Sequence, residues 1–271
     1  MKNIVISGCS ISTDSTSKDL SENKNATRKN YQSYPFFINE KLLFNIHNTS
    51  QSALDNGTIY RNLVSIVNEL IDKDTLIKDM FVIVQWSGID RHSMYSDKHK
   101  KWLLSTQTIV QDDNKIWEEY FKNEHTDEKA LNNTLENIKR TQEFLSSKEI
   151  NYVMFTGWNI FDDELDLLKY DIDASKFWFY EAEHWNLFEL SIIKDKNCPY
   201  PSYEYDSPPT VKYGGMAEWI RRNLNENIWT RSNVGAINDD RHPSNEAQKI
   251  FCHTVIIPLI EGQLGLLKNN H

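Results

Sequence analysis

The chain has 271 residues, which suits one large domain or two small ones, and 39% of them are hydrophobic. That apolar content supports a packed core and excludes disorder along the whole chain. A net charge of −9 argues against a broad positive surface for nucleic acid or anionic lipid, so we expect neither nucleic acid nor a membrane as partner.

The cysteines indicate a reducing compartment. Cys9, Cys198 and Cys252 are too few and too scattered for a disulfide framework, and none lies in a Cys-x-x-Cys pair. The apolar start at 1–6 is too short for a signal-peptide core, and no apolar run approaches the roughly 18 residues of a membrane span. We therefore expect a soluble, cytoplasmic protein without a cofactor.

The first third of the chain alternates apolar strands with helical patterns. An Ile- and Val-rich run that ends at Gly8 predicts a buried parallel strand, and the polar stretch after it, over about 11–30, predicts an insertion. The predicted elements are, in order, a strand over 3–7, a helix over 34–43, a strand over 43–47, a helix from 59 and a strand over 80–86.

The rest of the chain continues this alternation. Residues 92–126 are charged, aromatic and irregular, which predicts a second insertion overhanging the end of the preceding strand. The later predicted elements are a helix over 128–147, a strand over 152–155, a strand over 177–180, a loop over 198–209 and a helix capped by Ser244. We predict one α/β domain over 1–271, with a doubly wound parallel sheet in three α/β/α layers.

Three polar segments stand where such a sheet binds ligands, at the carboxyl ends of its strands. They are Gly8-Cys9-Ser10, the string WSGIDR at 86–91 and the string DDRHPS at 239–244. Together they resemble the motifs of SGNH (GDSL-like) hydrolases, in which a Gly-Asp-Ser serine follows the first strand and an Asp-x-x-His pair comes near the C-terminus. The resemblance covers nearly the whole chain and implies the flavodoxin-like fold of that family.

The resemblance implies a catalytic triad. Ser10 would be the nucleophile and His242 its base, since a serine hydroxyl is a weak nucleophile until a neighbouring base removes its proton. Asp239 would orient the imidazole and stabilise its protonated form, with Asp240 as the alternative. We expect Ser10, Asp90 and His242 at the same edge of the sheet.

The middle motifs of the family supply the oxyanion hole, and here they are altered. The segment 52–59 is similar to the family pattern Gly-x-Ser-Asn-Asp-x-Ile, with Ala53 at the glycine position and Asn56 at the asparagine. The third motif, Gly-x-Asn-Asp, corresponds to Ser87-Gly88-Ile89-Asp90 and lacks its asparagine.

The string at 86–91 is also similar to one in divergent members of the superfamily from phages and other viruses. We therefore assign Ala53, Asn56, Ser87, Asp90 and Arg91 to the oxyanion hole or to substrate binding. The alternative for Asp90 and Arg91 is an ion pair that holds the loop.

Two other chemistries use the same residues. Cys9 stands where the family has aspartate. Its position beside a strand end predicts a small buried side chain, and a catalytic thiol is the alternative. Asp90, Asp239, Asp240 and His242 could also form an oxygen-rich metal site, but no second, suitably spaced histidine accompanies them, so we expect no metal.

The expected function is hydrolysis of a small acyl ester through an acyl-Ser10 intermediate. Several loop aromatics could stack on sugar rings, which favours an acylated glycan as substrate. These aromatics are Trp158, Trp178, Trp185, Trp219, Trp229, Tyr200, Tyr203 and Tyr205. Two alternatives stay open: an acyltransferase with the same triad, and a non-catalytic binding or structural module such as a component of a viral particle. The oligomeric state stays open as well.

Overall fold

The computed structural model describes residues 2–13, 32–97, 100–105, 114–182, 211–224 and 242–266. The strands are β1 (Asn3–Ser7), β2 (Asn45–Asn48), β3 (Met80–Trp86), β4 (Ser93–Ser96), β5 (Lys101–Leu104), β6 (Asn151–Thr156), β7 (Tyr180–Ala182) and β8 (Val211–Gly214). The helices are α1 (Tyr34–Leu42), α2 (Asn56–Asp72), α3 (Asn114–Asn123), α4 (Asp127–Ser147), α5 (Met216–Leu224), α6 (Asn245–Phe251) and α7 (Ile257–Gln263).

The main sheet is parallel and has the strand order β2-β1-β3-β6. Val5 of β1 lies opposite Val82 of β3, and Ile83 of β3 lies opposite Val153 of β6. Two antiparallel pairs, β4 with β5 and β7 with β8, stand apart from it. The prediction of an α/β protein with a parallel sheet is confirmed at this level.

Helices cover both faces of the sheet because successive strand residues point to opposite sides. Ile4 and Ile6 of β1 pack into a core that includes residues of α1, α5 and α6. Val5, between them, packs into a second core with residues of α2 and α4. All three of these β1 side chains are fully buried, so the sheet is apolar on both faces, as expected for parallel strands.

Two predicted strands have different boundaries in the structure. The second strand starts at Asn45, because Leu43 ends α1 in the left-handed conformation, with φ of 53°. Phe177 forms only an isolated parallel bridge with Met154, and β7 begins at Tyr180.

The last helix begins as predicted but is interrupted. The Ser244 hydroxyl caps α6 by accepting from the Ala247 N–H at 3.1 Å. A π-helical turn, Cys252–Ile256, then separates α6 from α7. It immediately precedes Ile257 and Pro258, and proline has no N–H to continue the regular helical ladder.

The described part of the segment 92–126 forms the β4–β5 hairpin and α3. Its aromatic residues Trp102, Trp117 and Tyr120 line a cavity together with the first residues of α2, so the segment lies at the carboxyl edge of the sheet. Most of the other predicted insertion, 11–30, and the predicted loop at 198–209 lie outside the described residues. None of the helices in the described ranges has both the length and the apolar character of a membrane span.

Gly215 allows the start of α5 to approach the end of β6. A Cβ atom at this position would overlap the Thr156 carbonyl oxygen and lie 2.8 Å from the Trp158 nitrogen. The close approach lets the Ala217 N–H donate to the Gly157 carbonyl at 3.0 Å. Because the obstructing atoms belong to the backbone, they have little freedom to move away.

We predict that Gly215→Ala lowers the free energy of unfolding by about 1–3 kcal/mol, the usual cost of overpacking. Gly57→Ala is the matched control, because its nearest neighbours are the flexible ends of Asp55 and Arg61 and alanine favours the helix. Urea denaturation measures the free energy of unfolding of both variants. Equal effects of the two substitutions would contradict the backbone clash.

Candidate active site

Ser10 begins a tight 3₁₀ turn, Ser10–Ser12, just beyond β1. The turn packs closely on β3: a Cβ atom at Gly8 would lie 2.8 Å from Ser12 Oγ and 3.0 Å from Gln85 Cβ. Ser10 is 6% exposed. Glycine at position 8 therefore lets the chain turn directly over the end of the sheet.

A buried amide holds this turn. Gln85 Oε1 accepts from the Cys9 N–H at 3.2 Å and from the Ser12 hydroxyl at 3.0 Å. Ser12 Oγ is also hydrogen bonded to the Tyr34 hydroxyl at 3.0 Å. Gln85, Ser12 and Tyr34 are each fully buried, so these hydrogen bonds replace ones that water cannot supply there.

A second buried amide brings the C-terminal part of the chain to the same turn. Gln248, in α6, donates from Nε2 to the Ile11 carbonyl at 3.0 Å and accepts through Oε1 from the Tyr34 N–H at 3.1 Å. It thereby connects α6, the turn at Ser10 and the start of α1. His242 lies just before α6 and is placed by this contact.

Ser10 and His242 are in direct contact. Ser10 Oγ lies 2.6 Å from His242 Nε2, across 232 residues of sequence. A neutral imidazole with Nε2 unprotonated can accept the serine proton at this distance. Asp239 and Asp240, the predicted orienting carboxylates, lie outside the described residues.

The segment that resembles the second family motif has a glycine-like backbone at the expected position. Ala53 has φ of 70°, in the left-handed region that favours glycine. Its side chain is small enough to be tolerated there.

Asn56 holds the loop that follows β3. Its Oδ1 accepts from the Ser87 N–H at 2.8 Å, and its Nδ2 donates both to the Ser87 carbonyl and to Thr134 Oγ1 at 3.1 Å. Because both amide hydrogens have protein acceptors, Asn56 has no donor left for an oxyanion in this conformation. It acts as a positioning residue for Ser87.

The loop after β3 carries three further predicted site residues, Ser87, Asp90 and Arg91. Ser87 is fully buried and its hydroxyl has no partner among the described residues. Asp90 is exposed and lies against Gly88, and no ion pair joins it to Arg91 within the described loop. The Arg91 guanidinium instead faces Trp158, with Cζ 5.1 Å from the ring centroid.

Cys9 is a buried structural residue in this geometry. Its side chain is fully buried within the core that includes Ile11, and its thiol donates to Gln85 Oε1 at 3.3 Å. The contacts are those of a small core side chain with one weak hydrogen bond. Ser10, one residue later, carries the hydroxyl that meets His242.

Glu218 braces the loop after β6. Its carboxylate accepts from the Gly215 N–H at 2.8 Å and from the Asn159 N–H at 3.0 Å. Burial raises the pKa of Glu218 above its ordinary value, opposed by these hydrogen bonds. The loop that carries Trp158 is therefore tied to the first turn of α5.

Three of these positioning residues, Gln85, Gln248 and Glu218, belong to no motif. The only signal available in the sequence is at Gln85, a lone polar residue inside the otherwise apolar strand MFVIVQW. Gln248 and Glu218 stand among several other polar residues of their helices, so their sequence context does not distinguish them.

We predict that Ala53→Gly stabilises the protein by about 0.5–1 kcal/mol, because it removes the strain of a Cβ atom at positive φ. Scanning calorimetry would show a rise of about 2 °C in Tm. The matched control is Ala130→Gly within α4, where the same change should destabilise by about 1 kcal/mol. A fall in Tm for both variants would contradict the strain at Ala53.

No protein-family model matches the chain, and no curated protein shows significant similarity to it. The functional interpretation therefore depends on the contact of Ser10 with His242, on the residues that hold it, and on the motifs in the sequence.

Proposed function

We propose that the chain is a serine esterase of the SGNH type, which hydrolyses a small acyl ester through an acyl-Ser10 intermediate. The observation that carries the proposal is the 2.6 Å contact between Ser10 Oγ and His242 Nε2. The parallel sheet, with helices packed on both faces, is compatible with the doubly wound three-layer fold of that family. We include that fold in the proposal.

The proposed reaction has two halves. His242 removes the Ser10 proton as Oγ attacks the ester carbonyl carbon, and the imidazolium then protonates the departing alkoxide. Water, deprotonated by His242, attacks acyl-Ser10 in the second half, and the returned proton regenerates the serine as the carboxylic acid leaves. Asp239, or Asp240 in its place, orients the imidazole throughout.

The tetrahedral intermediates need hydrogen-bond donors for their oxyanion. The Ser10 backbone N–H has no acceptor among the described residues, which suits it to this role. The resemblance to the family adds the Ala53 N–H. The buried Ser87 hydroxyl, held in place by Asn56, is the proposed substitute for the missing asparagine side chain.

A non-catalytic binding module is the second candidate function. Ile89 stands where the family has its donor asparagine, and both amide hydrogens of Asn56 are used within the protein. An oxyanion hole without these donors would be weak. In that case the protein would bind a ligand at the same edge of the sheet without catalysing a reaction.

We predict that Ser10→Ala and His242→Ala each lower kcat for a short-chain aryl ester by at least about 10³-fold, because each removes the nucleophile or its base. The Tm of each variant should stay within a few degrees of the parent. Ser147→Ala and His253→Ala, at exposed positions, are the matched controls and should keep full activity.

A phosphonofluoridate provides an independent readout of the same site, since only a base-activated serine reacts quickly with it. Mass spectrometry should find the adduct on the peptide that contains Ser10, and His242→Ala should suppress it. A parent protein that takes no label and hydrolyses no ester in a broad panel would overturn the esterase proposal and favour the binding module.

The two aspartates of the last motif can be separated by the same ester assay. If Asp239 orients His242, Asp239→Asn should lower kcat by orders of magnitude, because the imidazole loses its tautomer partner. Asp240→Asn should then have little effect. The reverse pattern would assign the role to Asp240, and loss of activity only in the double variant would show that either carboxylate suffices.

A further inference from the structure

A cavity of about 390 Å³ lies under the insertion at the carboxyl edge of the sheet. It is bounded by the start of α2, the loop after β3, the β4–β5 hairpin, α3 and α4. Its volume falls within the range of about 300–1,000 Å³ that is usual for small-molecule sites. Neither Ser10 nor His242, the two triad residues that the structure describes, lines it.

Part of the cavity wall is aromatic. Trp102, Trp117 and Tyr120 line it, and their flat faces match the C–H surfaces of a sugar ring. Trp117 is 5% exposed, and its indole N–H has no partner among the described residues. His92 Nε2 is likewise buried without a partner in this part of the structure. Buried donors without acceptors are rare in folded proteins and suit a polar ligand.

Three of the chain's eight arginines line this cavity, and two of them are already engaged. Arg140 forms an ion pair with Glu136. Arg61 lies near Asp55, donates to the Ser93 hydroxyl at 3.1 Å and stacks on Trp102. The two acidic residues of the cavity are therefore matched by these two arginines.

Arg91 is the third arginine and has no carboxylate partner among the described residues. Its Nη1 atom is buried and has no hydrogen-bond acceptor among those residues. The guanidinium makes a cation–π contact with the Trp158 ring. Arg91 is partly buried, and a buried guanidinium nitrogen without an acceptor favours an anionic ligand. Burial, with His125 nearby, lowers the pKa of His92 below its ordinary value, against the opposing effect of Asp55 and Asp90.

A chain of contacts leads from Ser10 to Arg91. The Ile11 side chain lies against Gly157, where a Cβ atom would be 3.1 Å from Ile11 Cδ1. The next residue, Trp158, lies against Gly88 and faces the Arg91 guanidinium. Asn56, which lines the cavity, also holds Ser87. The cavity therefore borders the proposed catalytic edge.

We propose that this cavity binds a sugar ring that bears a carboxylate, with Arg91 pairing with the carboxylate and the aromatic wall packing on the ring. A planar guanidinium matches a carboxylate through two parallel hydrogen bonds. The inference rests on the proposed function in one respect, because it identifies the alcohol part of the proposed ester substrate as an acidic sugar. Binding itself does not require the esterase activity.

The test measures binding to the full chain carrying Ser10→Ala, so that no turnover occurs. The probes are methyl α-D-glucuronoside and its neutral counterpart methyl α-D-glucoside, titrated by calorimetry or ligand-observed NMR. We expect the glucuronoside to bind at least about tenfold more tightly, the difference that one charge-assisted pair provides. Equal affinities, or no binding of either sugar, would overturn the proposal.

Variants locate the binding. Arg91→Gln should remove the preference for the glucuronoside, and Trp117→Phe, which keeps an aromatic face and deletes the N–H, should weaken both sugars by a smaller factor. Arg222→Gln is the matched control, because it makes the same charge change at an exposed position of α5 and should leave the preference intact. A preference that survives Arg91→Gln would contradict the proposed contact.

The two proposals fail in distinguishable ways. A parent protein that hydrolyses aryl esters but shows no preference for the glucuronoside would overturn the cavity proposal alone. A parent that prefers the glucuronoside yet takes no phosphonofluoridate label would overturn the esterase proposal and leave the acidic-sugar site in place.

Discussion

The side-chain amide of Gln248 connects α6 with the turn after β1 and the start of α1, and the candidate site depends on that connection. One side of the amide donates to the Ile11 carbonyl and the other accepts from the Tyr34 N–H. Because Gln248 is fully buried, water cannot replace either bond, and loss of the side chain would remove both. The helix that follows His242 is thereby held against the turn that carries Ser10.

The parallel sheet explains why so many polar side chains meet at one edge. Strands that run in one direction deliver their carboxyl ends to the same side, where loops carry the chemistry. Gln85 holds the turn after β1, Asn56 holds the loop after β3, and Glu218 holds the loop after β6. Each loop is thus braced by a buried or partly buried side chain from a neighbouring element, which favours a site preorganised before a ligand arrives.

The insertion changes what this edge can recognise. The chain carries a net charge of −9, which opposes the approach of anions in general. Under the β4–β5 hairpin and α3, however, acidic side chains are matched by arginines, and Arg91 remains without a carboxylate among the described residues. Local pairing therefore matters more than overall charge in deciding which ligand this cavity favours.

The sequence by itself predicted the order of the main strands and helices and pointed to Ser10 and His242, which the structure brings into contact. Strand and helix patterns are local, so apolar runs such as the one at β3 and the cap at Ser244 can be recognised from neighbouring residues alone. The predicted boundaries failed where the backbone departs from regular structure, at Leu43 and at the π-helical turn.

Only the tertiary structure decided which side chains meet. It placed Ser10 Oγ 2.6 Å from His242 Nε2, engaged both amide hydrogens of Asn56 within the protein, and left Arg91 facing Trp158 with no ion pair to Asp90 in the described loop. These outcomes depend on contacts between residues far apart in the chain, and no local periodicity encodes whether a buried polar group finds a partner.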